Sequence, residues 1–424
     1  MLSLDFICQH PDLFRTLLLR RGVSVPLEDI LQLATERREL VTQNDEAHRS
    51  LKELKMAVRS VPVAEKDTCN RQMKAIRADI QQREKQLVTV EQHLRDLLMS
   101  VPNLPHASVV ERADEEDIEV RRWGEPASFA FDPRPHWELG SRLGIIDSDT
   151  AVKIAGSRFV MLKGMGARLE RALISFMLDI HTRQHGYTEV LLPQLVKEEL
   201  MFAAGQFPKF ADQSYRCEAD ELVLNPTAEV PLVGLHSQSI LPVFALPRRY
   251  VAWTTAYRRE AGSASRHNRG LLRLHQFNKV ELFQYVDPQE SYRSLEEMVQ
   301  HAEKILQLLG LPYRVVELTA RHLSFSAAKT VDIEVWMAGQ GEYVEVSSVS
   351  NCEAFQARRA NIKYRGTGKK HTGYVHTLNG SGLAVGRTMA AILEAYQQKN
   401  GAISIPDVLQ SYMGTAIISP EEGI

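Results

Sequence analysis

The first hundred residues carry a repeating apolar pattern that restricts them to long helices packed side by side. Between residues 30 and 61, apolar side chains recur at alternating steps of three and four, and a second such run extends from Met73 to Leu97. This spacing is typical of coiled coils. Because proline cannot continue a helix, Pro62 separates the two runs, and we predict a short loop over residues 62 to 68. The expected structure is an antiparallel coiled-coil hairpin over about residues 30 to 98.

The outer half of this predicted hairpin is basic. Residues 46 to 85 carry ten Lys or Arg against six acids, whereas the whole chain has 51 against 53 and a net charge of −2. The local excess fits a solvated coiled-coil surface, and it also fits a rod that lays cations along a phosphate backbone. The candidate cations for such binding are Lys52, Lys55, Arg59, Arg71, Lys74 and Arg77.

Cysteine spacing and hydropathy indicate the compartment. The four cysteines form no C-x-x-C pair, so neither a zinc knuckle nor a redox motif is indicated. No apolar run approaches the roughly 18 to 20 residues that a membrane-spanning helix needs. The first eight residues lack the basic segment of a secretion signal. We therefore expect a cytoplasmic protein with reduced thiols and no membrane association.

Beyond residue 150 the pattern changes to mixed helices and strands. The strands do not alternate regularly with helices, which favours an α+β fold with a mainly antiparallel sheet flanked by helices. Residues 101 to 150 are rich in proline and acids and are interpreted as a connection and the entry to a second domain. We predict domains at 1–105 and 106–424. The predicted helices cover 166–184, 291–309 and 387–399, and the predicted strands cover 188–192, 249–253, 274–285, 331–337, 343–346 and 376–378.

The densest cluster of functional side chains runs from Tyr257 to Glu281, where two predicted strands flank a Gly/Ser-rich cationic loop. Arginine forks such as those of Arg258 and Arg259 suit phosphate and carboxylate oxygens. Glu260 can accept from an exocyclic amine, and Phe277 can stack on a base. Two Gly-rich segments elsewhere, at 366–370 and 380–386, fail the Walker and dinucleotide-binding patterns, respectively.

The segment 257–281 resembles motif 2 of class II aminoacyl-tRNA synthetases, in the version found in bacterial-type seryl-tRNA synthetases. Residues 186–193 are similar to motif 1 of that class, and residues 380–387 are similar to motif 3. The segment Pro226–Pro231, with its Thr-Ala-Glu core, is similar to the family's serine-binding loop. The N-terminal hairpin resembles the family's tRNA-binding arm, so the resemblance covers nearly the whole chain.

The resemblance implies a role for each matching residue. Arg258 and Arg387 would act catalytically, Arg258 at the α-phosphate and the amino-acid carboxylate and Arg387 at the γ-phosphate. Glu345 and Ser348 would hold Mg²⁺ that bridges the ATP phosphates. The implied ATP-binding set is Arg258, Arg259, Glu260, Phe277, Glu345, Val346, Ser347, Ser348 and Arg387. The implied serine-binding set is Thr227, Ala228, Glu229, Arg258, Glu281 and Ser381.

The reaction that this resemblance implies has two steps, formation of seryl-adenylate from L-serine and ATP and transfer of serine to tRNA(Ser). The implied enzyme is a homodimer, and tRNA(Sec) is a second candidate acceptor. Two alternatives stay open, a seryl-adenylate-forming relative that loads a non-tRNA acceptor and a non-catalytic RNA-binding relative. The motif 2 loop departs from the common pattern at His267-Asn268, which leaves its contacts with the tRNA acceptor end open.

Overall fold

The computed structural model describes residues 1–59, 62–110, 116–261, 269–366, 368 and 372–420. The chain divides into two compact units, Met1–Pro102 and Asn103–Ile424. The helices of the first unit are α1 (Leu4–Gln9), α2 (Pro11–Arg20), α3 (Leu27–Ala57) and α4 (Val63–Ser100).

Helices α3 and α4 form the antiparallel coiled coil that the heptad pattern predicts. Leu51, Met73 and Ile80 are buried together between them. Farther along the pair, Arg37 Nε donates to Glu91 Oε1 at 2.8 Å. The start of α3 therefore lies beside the end of α4, and the end of α3 lies beside the start of α4, so the two helices run in opposite directions.

The connection between these helices is shorter than predicted. Helix α4 already begins at Val63, so the loop predicted over residues 62 to 68 is wrong. Proline has no N–H to donate and its fixed φ suits the entry to a helix. Pro62 therefore serves as the N-cap of α4, and the helix begins at the next residue, Val63.

The second unit is α+β, as predicted. Its helices are α5 (His136–Arg142), α6 (Ser148–Ala155), α7 (Met165–Arg183), α8 (Glu198–Ala204), α9 (Glu229–Gly234), α10 (Ser291–Leu308), α11 (Phe355–Ala360), α12 (Val385–Ala395) and α13 (Asp407–Met413). Short 3₁₀ helices cover Ala211–Gln213, Glu218–Asp220, Val243–Ala245 and Pro288–Glu290. The strands are β1 (Ile118–Trp123), β2 (Ile146–Asp147), β3 (Met161–Leu162), β4 (Thr188–Glu189), β5 (Leu195–Lys197), β6 (Arg216–Cys217), β7 (Leu222–Leu224), β8 (Ile240–Pro242), β9 (Arg248–Tyr257), β10 (Gln276–Val286), β11 (Tyr313–Glu317), β12 (Lys329–Met337), β13 (Glu342–Glu353), β14 (Lys363–Arg365), β15 (Thr372–Tyr374), β16 (His376–Ala384), β17 (Ile403–Ser404) and β18 (Ile417–Ile418).

The main sheet has eight strands in the order β1-β11-β12-β13-β16-β10-β9-β4. Its neighbours run antiparallel except for β4, which pairs parallel with β9. In the β9–β10 hairpin, Tyr257 faces Gln276 at the end where the motif 2 loop begins. On the other side of β10, Glu281 faces Ser381 of β16. This register brings motif 2 and motif 3 into adjacent strands.

Two predicted segments of the second unit also differ from the structure. Residues 101–150 contain β1, which pairs with β11 at the sheet edge, and helix α5. The strand was missed because only one face is partly covered, which leaves a weak apolar alternation. The strand predicted over 188–192 is reduced to Thr188–Glu189, since Pro193 stops the ladder soon after the Val190 amide bonds to Val251 O.

The core lies on both faces of the main sheet. Helices α7, α10 and α12 bury their apolar sides in the larger cluster, where Leu169, Leu173 and Phe176 of α7 are almost completely covered. This confirms the amphipathic helix predicted over 166–184. Within the described ranges, no helix combines the length and the apolar character needed to cross a membrane.

Candidate active site

A cavity of about 650 Å³ opens over strands β9, β10, β13 and β16 and the start of α12. Polar and charged side chains predominate in its lining. Residues predicted from four separate segments of the sequence meet here: Thr227, Glu229, Arg258, Glu260, Phe277, Glu281, Glu345, Ser348, Ser381 and Arg387.

Arg258 and Phe277 lie side by side at the ends of β9 and β10. The Arg258 guanidinium carbon is 5.2 Å from the centre of the Phe277 ring, and Arg258 Nε donates to Pro226 O at 3.3 Å. An aromatic ring in the cavity wall beside a cation can stack a base while the cation reaches the phosphates. Glu260, which follows in a left-handed conformation with φ 47°, accepts from Arg273 Nε at 2.5 Å.

Arg387 projects from the first turn of α12. Its Nη1 donates to Glu345 O at 2.6 Å and lies 3.4 Å from Glu345 Oε2, while its Nε donates to Leu272 O at 3.2 Å. The guanidinium is thereby held between β13 and the segment that returns from the motif 2 loop. A cation at a helix N-terminus adds to the positive potential there, which favours an anionic ligand.

The opposite end of the cavity is a buried acidic pocket. Glu281 is 1% exposed, accepts from Thr227 Oγ1 at 2.6 Å and forms an ion pair with Lys279. Glu229 Oε1 accepts from Gln356 Nε2 at 2.6 Å and from Asn379 Nδ2 at 3.1 Å. Burial, with the nearby charge of Glu281, raises the pKa of Glu229 to about 7.

Sequence reasoning missed Lys279, Gln356 and Asn379. A signal exists for Lys279 alone, because it stands two residues before Glu281 on β10 and therefore shares a face of the strand with it. Gln356 and Asn379 belong to α11 and β16, and only the fold brings them to Glu229.

Four residues of the predicted sets have side chains outside the described lining of the cavity. Ala228, Val346 and Ser347 are fully buried, and Ser347 Oγ donates to Ser381 O at 2.6 Å. Ser347 thus holds the backbone of Ser381 in place through this hydrogen bond. Arg259 Nη1 donates to Asp212 O at 3.4 Å. Ligand contacts of these four residues stay predictions.

Glu345 and Ser348 lie on β13, and both line the cavity. Asp332 of β12 faces Ser348 across the strand pair, and its buried Oδ1 has no hydrogen-bond partner among the residues that the structure describes. Burial and the charge of Glu345 hold the pKa of Asp332 well above its usual range. An unsatisfied carboxylate oxygen beside a second carboxylate and a hydroxyl suits a hard cation such as Mg²⁺. Within the described ranges, no three His, Cys, Asp or Glu side chains form a metal cluster, so phosphate and water oxygens would have to supply other ligands.

The six candidate RNA-binding cations are all exposed on the first unit. Lys52 and Lys55 belong to α3, Arg59 follows it, and Arg71, Lys74 and Arg77 belong to α4. The departure at His267-Asn268 lies outside the described residues.

Comparison with known proteins identifies the family. The family model for the seryl-tRNA synthetase N-terminal domain matches residues 1–105, and the model for the class II core domain of Gly, His, Pro, Ser and Thr tRNA synthetases matches residues 214–396. A serine–tRNA ligase of Thermodesulfovibrio yellowstonii is 47% identical over 99% of this chain and 100% of its own length. The chain belongs to the seryl-tRNA synthetase family.

Further relatives of this family agree in sequence and structure. A serine–tRNA ligase from a Geobacillus species is 57% identical over 77% of each chain. The crystal structure of seryl-tRNA synthetase from Pyrococcus horikoshii complexed with ATP superposes with a TM-score of 0.93 at 34% identity, covering both chains completely. The cytoplasmic serine–tRNA ligase of Naegleria fowleri in complex with AMP gives 0.88 at 25% identity, covering 100% and 99%. The predicted family, fold and enzyme class are therefore confirmed.

Proposed function

We propose that the cavity joins L-serine to ATP and that the resulting seryl-adenylate is transferred to the 3′ end of tRNA(Ser). The observation that carries this proposal is the buried Thr227–Glu281–Lys279 network at one end of a cavity whose other end holds Arg258 and Arg387. The first end suits a small polar zwitterion and the second suits a polyphosphate. The ATP bound by the related Pyrococcus horikoshii enzyme supports the second assignment.

The acidic pocket explains selection of serine. The α-ammonium of an amino acid requires acceptors, and the serine hydroxyl requires a polar partner. Glu229, Glu281 and Thr227 offer both kinds, and all three side chains are buried at this end of the cavity. Alanine would leave a buried polar group without its partner, which a hydrogen-bonding pocket penalises strongly. Threonine adds a methyl group, which only the shape of the pocket can exclude.

The two reaction steps need no nucleophile from the protein. A serine carboxylate oxygen attacks the α-phosphorus of ATP, and the bond to the bridging oxygen breaks as pyrophosphate leaves. The terminal ribose hydroxyl of tRNA then attacks the carbonyl carbon, and AMP leaves. Arg258 neutralises charge at the α-phosphate and Arg387 at the departing phosphates, so positioning and electrostatic stabilisation account for the rate.

Other residues orient the nucleotide. Phe277 would stack on the adenine ring, and the Glu260 carboxylate would accept from its amino group. Glu345 and Ser348 would hold Mg²⁺, and Asp332 lies opposite Ser348 on the neighbouring strand. When bound, this cation would neutralise phosphate charge and keep the triphosphate in one conformation.

The coiled-coil hairpin would contact tRNA by shape and backbone charge. Its six exposed cations offer partners for phosphates, and paired RNA presents no readable base code in its narrow major groove. We propose tRNA(Ser) as the main acceptor and tRNA(Sec) as a second acceptor to be tested. The homodimer and the cytoplasmic location are carried over as proposals from the family resemblance.

Amino-acid-dependent exchange between pyrophosphate and ATP tests the first step. We expect exchange with serine and almost none with alanine or threonine, and its absence with serine would refute the proposal. Charging of total tRNA with labelled serine tests the second step. Exchange without charging would favour a non-tRNA acceptor, and the loss of both activities would favour a non-catalytic RNA-binding protein.

A further inference from the structure

We propose that His136 is a positioning residue for the nucleotide end of the cavity. It holds the backbone that returns from the motif 2 loop, and through this backbone it sets the position of Arg387. The inference rests on the proposed function, because it assigns the affected ligand as ATP.

The hydrogen bonds of His136 define one protonation state. Its ring is completely buried, and Nε2 lies 3.0 Å from the backbone nitrogen of Leu271. A backbone N–H can only donate, so Nε2 must be the unprotonated acceptor. The ring proton is therefore on Nδ1, which lies 2.7 Å from Glu394 Oε1. The imidazole acts as a neutral bridge that joins a backbone amide to a carboxylate.

Glu394 is fixed from several sides. Its Oε1 also accepts from the backbone N–H of His136 at 2.9 Å, and its Oε2 accepts from the backbone N–H of Gly339 at 2.8 Å. The Gln340 side chain adds a donor at 3.2 Å. A buried carboxylate needs such donors to offset its lost hydration. Because all of them converge on one group, the imidazole has one orientation in which both of its nitrogens are satisfied.

Helix α12 carries the two side chains that hold the backbone of Leu271 and Leu272, the segment that follows the motif 2 loop. Arg387 and Glu394 lie on α12 seven residues apart, which is about 10 Å or two turns. Arg387 Nε donates to the carbonyl of Leu272, and Glu394 holds the N–H of Leu271 through His136. Helix α12 thus clamps two consecutive residues of the cavity wall. A shift of this backbone would displace the partner that orients the Arg387 guanidinium.

The clamp also reaches the adenine side. Arg273, the next residue along the chain, donates to Glu260. Serine-end contacts use other elements, since Glu281 is held by Thr227 and Glu229 by Gln356. Loss of the clamp should therefore weaken the use of ATP more than the use of serine.

Gly270 shows how closely the ring approaches the loop. It has φ +64°, and a Cβ at this position would lie 2.2 Å from His136 Nε2. Only glycine accommodates both the left-handed conformation and the adjacent imidazole.

Two substitutions of His136 separate its hydrogen bonds. In His136→Gln the amide oxygen can occupy the place of Nε2 and accept from Leu271, whereas in His136→Asn the shorter amide reaches only the place of Nδ1. In serine-dependent pyrophosphate exchange, we expect the KM for ATP to rise about tenfold in the Asn variant and less than about threefold in the Gln variant. The KM for serine should stay within about twofold in both.

Hydrogen–deuterium exchange of the full chain provides a readout independent of catalysis. The peptide covering residues 269–274 should lose protection in His136→Asn and keep it in His136→Gln. A purely structural role would instead lower the melting temperature and change both KM values together, with no difference between the two variants.

A glycine pair tests the same contact without changing His136. Gly270→Ala pushes a methyl group into Nε2 of His136. Gly144, changed in the matched variant Gly144→Ala, has a similar φ of +65°, and no atom of the described part of the chain lies within 4 Å of a Cβ added there. Both variants carry the cost of a left-handed alanine, and only Gly270→Ala should raise the KM for ATP. This pair decides the matter if His136→Asn does not fold.

Equal KM values for ATP in the two His136 variants, or in the two glycine variants, would overturn the proposal. A parallel rise of the serine KM would overturn it as well. Absence of pyrophosphate exchange in the unsubstituted protein would instead contradict the proposed function. Hydrogen–deuterium exchange of residues 269–274 would still test whether His136 holds this backbone.

Discussion

The two ends of the cavity are built differently. At the serine end, side chains hold other side chains, and Thr227, Glu229 and Glu281 are 2%, 9% and 1% exposed. At the nucleotide end, Arg258 and Arg387 donate to backbone carbonyls and keep contact with solvent. Buried, mutually satisfied groups discriminate between ligands because each mismatch leaves a polar atom unpaired. Arginines fixed to the backbone instead provide charge for a ligand that brings its own polar surface.

The largest expected effect is at the serine end. Glu281→Ala removes the acceptor of Thr227 and leaves the Lys279 ammonium without its ion-pair partner. We expect kcat/KM for serine to fall by about 10³ to 10⁴, with the KM for ATP within about threefold. Steady-state pyrophosphate exchange measures both constants. Equal losses for the two substrates would mean that the ends are not independent.

The reciprocal change concerns the nucleotide end. Arg387→Ala should lower kcat by about 10² to 10³, because a preorganised cation at the departing phosphates is lost. The KM for serine should change by less than about twofold. Arg387→Lys should restore little, since an ammonium cannot reproduce the fork that holds both Glu345 and Leu272. Full rescue by lysine would show that charge alone is sufficient.

The coiled-coil cations should leave both ends of the cavity unaffected. Replacing Lys52, Lys55 and Lys74 by glutamine should raise the KM for tRNA about tenfold and reduce its salt dependence. Pyrophosphate exchange should be unchanged, and aminoacylation at several salt concentrations measures the difference.

A matched variant carries the same three substitutions at exposed lysines of the second unit, Lys153, Lys197 and Lys399. It loses the same net charge and should keep the wild-type salt dependence. Equal effects of the two triple variants would argue against a tRNA-binding surface on the hairpin.

An effect of similar size concerns pH. The pKa of Glu229 is raised to about 7, so the carboxylate that would accept the serine ammonium is mostly protonated below this pH and ionised above it. Serine should therefore bind more tightly as the pH rises, and its KM should fall about tenfold between pH 6 and 8. In Glu229→Gln this dependence should disappear, which exchange assays across the pH range would detect. A KM for serine that rises with pH in the unsubstituted protein would contradict the assignment.

Local patterns predicted a large part of this structure. The heptads predicted α3 and α4, since a stripe of apolar residues specifies both the helix and its partner face. The motif 2 sequence brought attention to Arg258, Glu260 and Phe277, which all line the cavity. Prediction was weaker where apolar periodicity is weak or where a proline starts a helix. The edge strand β1 has little alternation of apolar and polar residues, and helix α4 begins directly after Pro62, where a loop was predicted.

The sequence by itself determined the coiled coil, the α+β class and the family, because periodicity and contiguous motifs are properties of neighbouring residues. Only the tertiary structure decided how the site is held together. His136 and Glu394 are 258 residues apart, and Glu229 meets Gln356 across 127 residues. Such pairs leave no periodic trace, since each is an ordinary polar residue until a sheet register and a helix packing angle place its partner within hydrogen-bond distance.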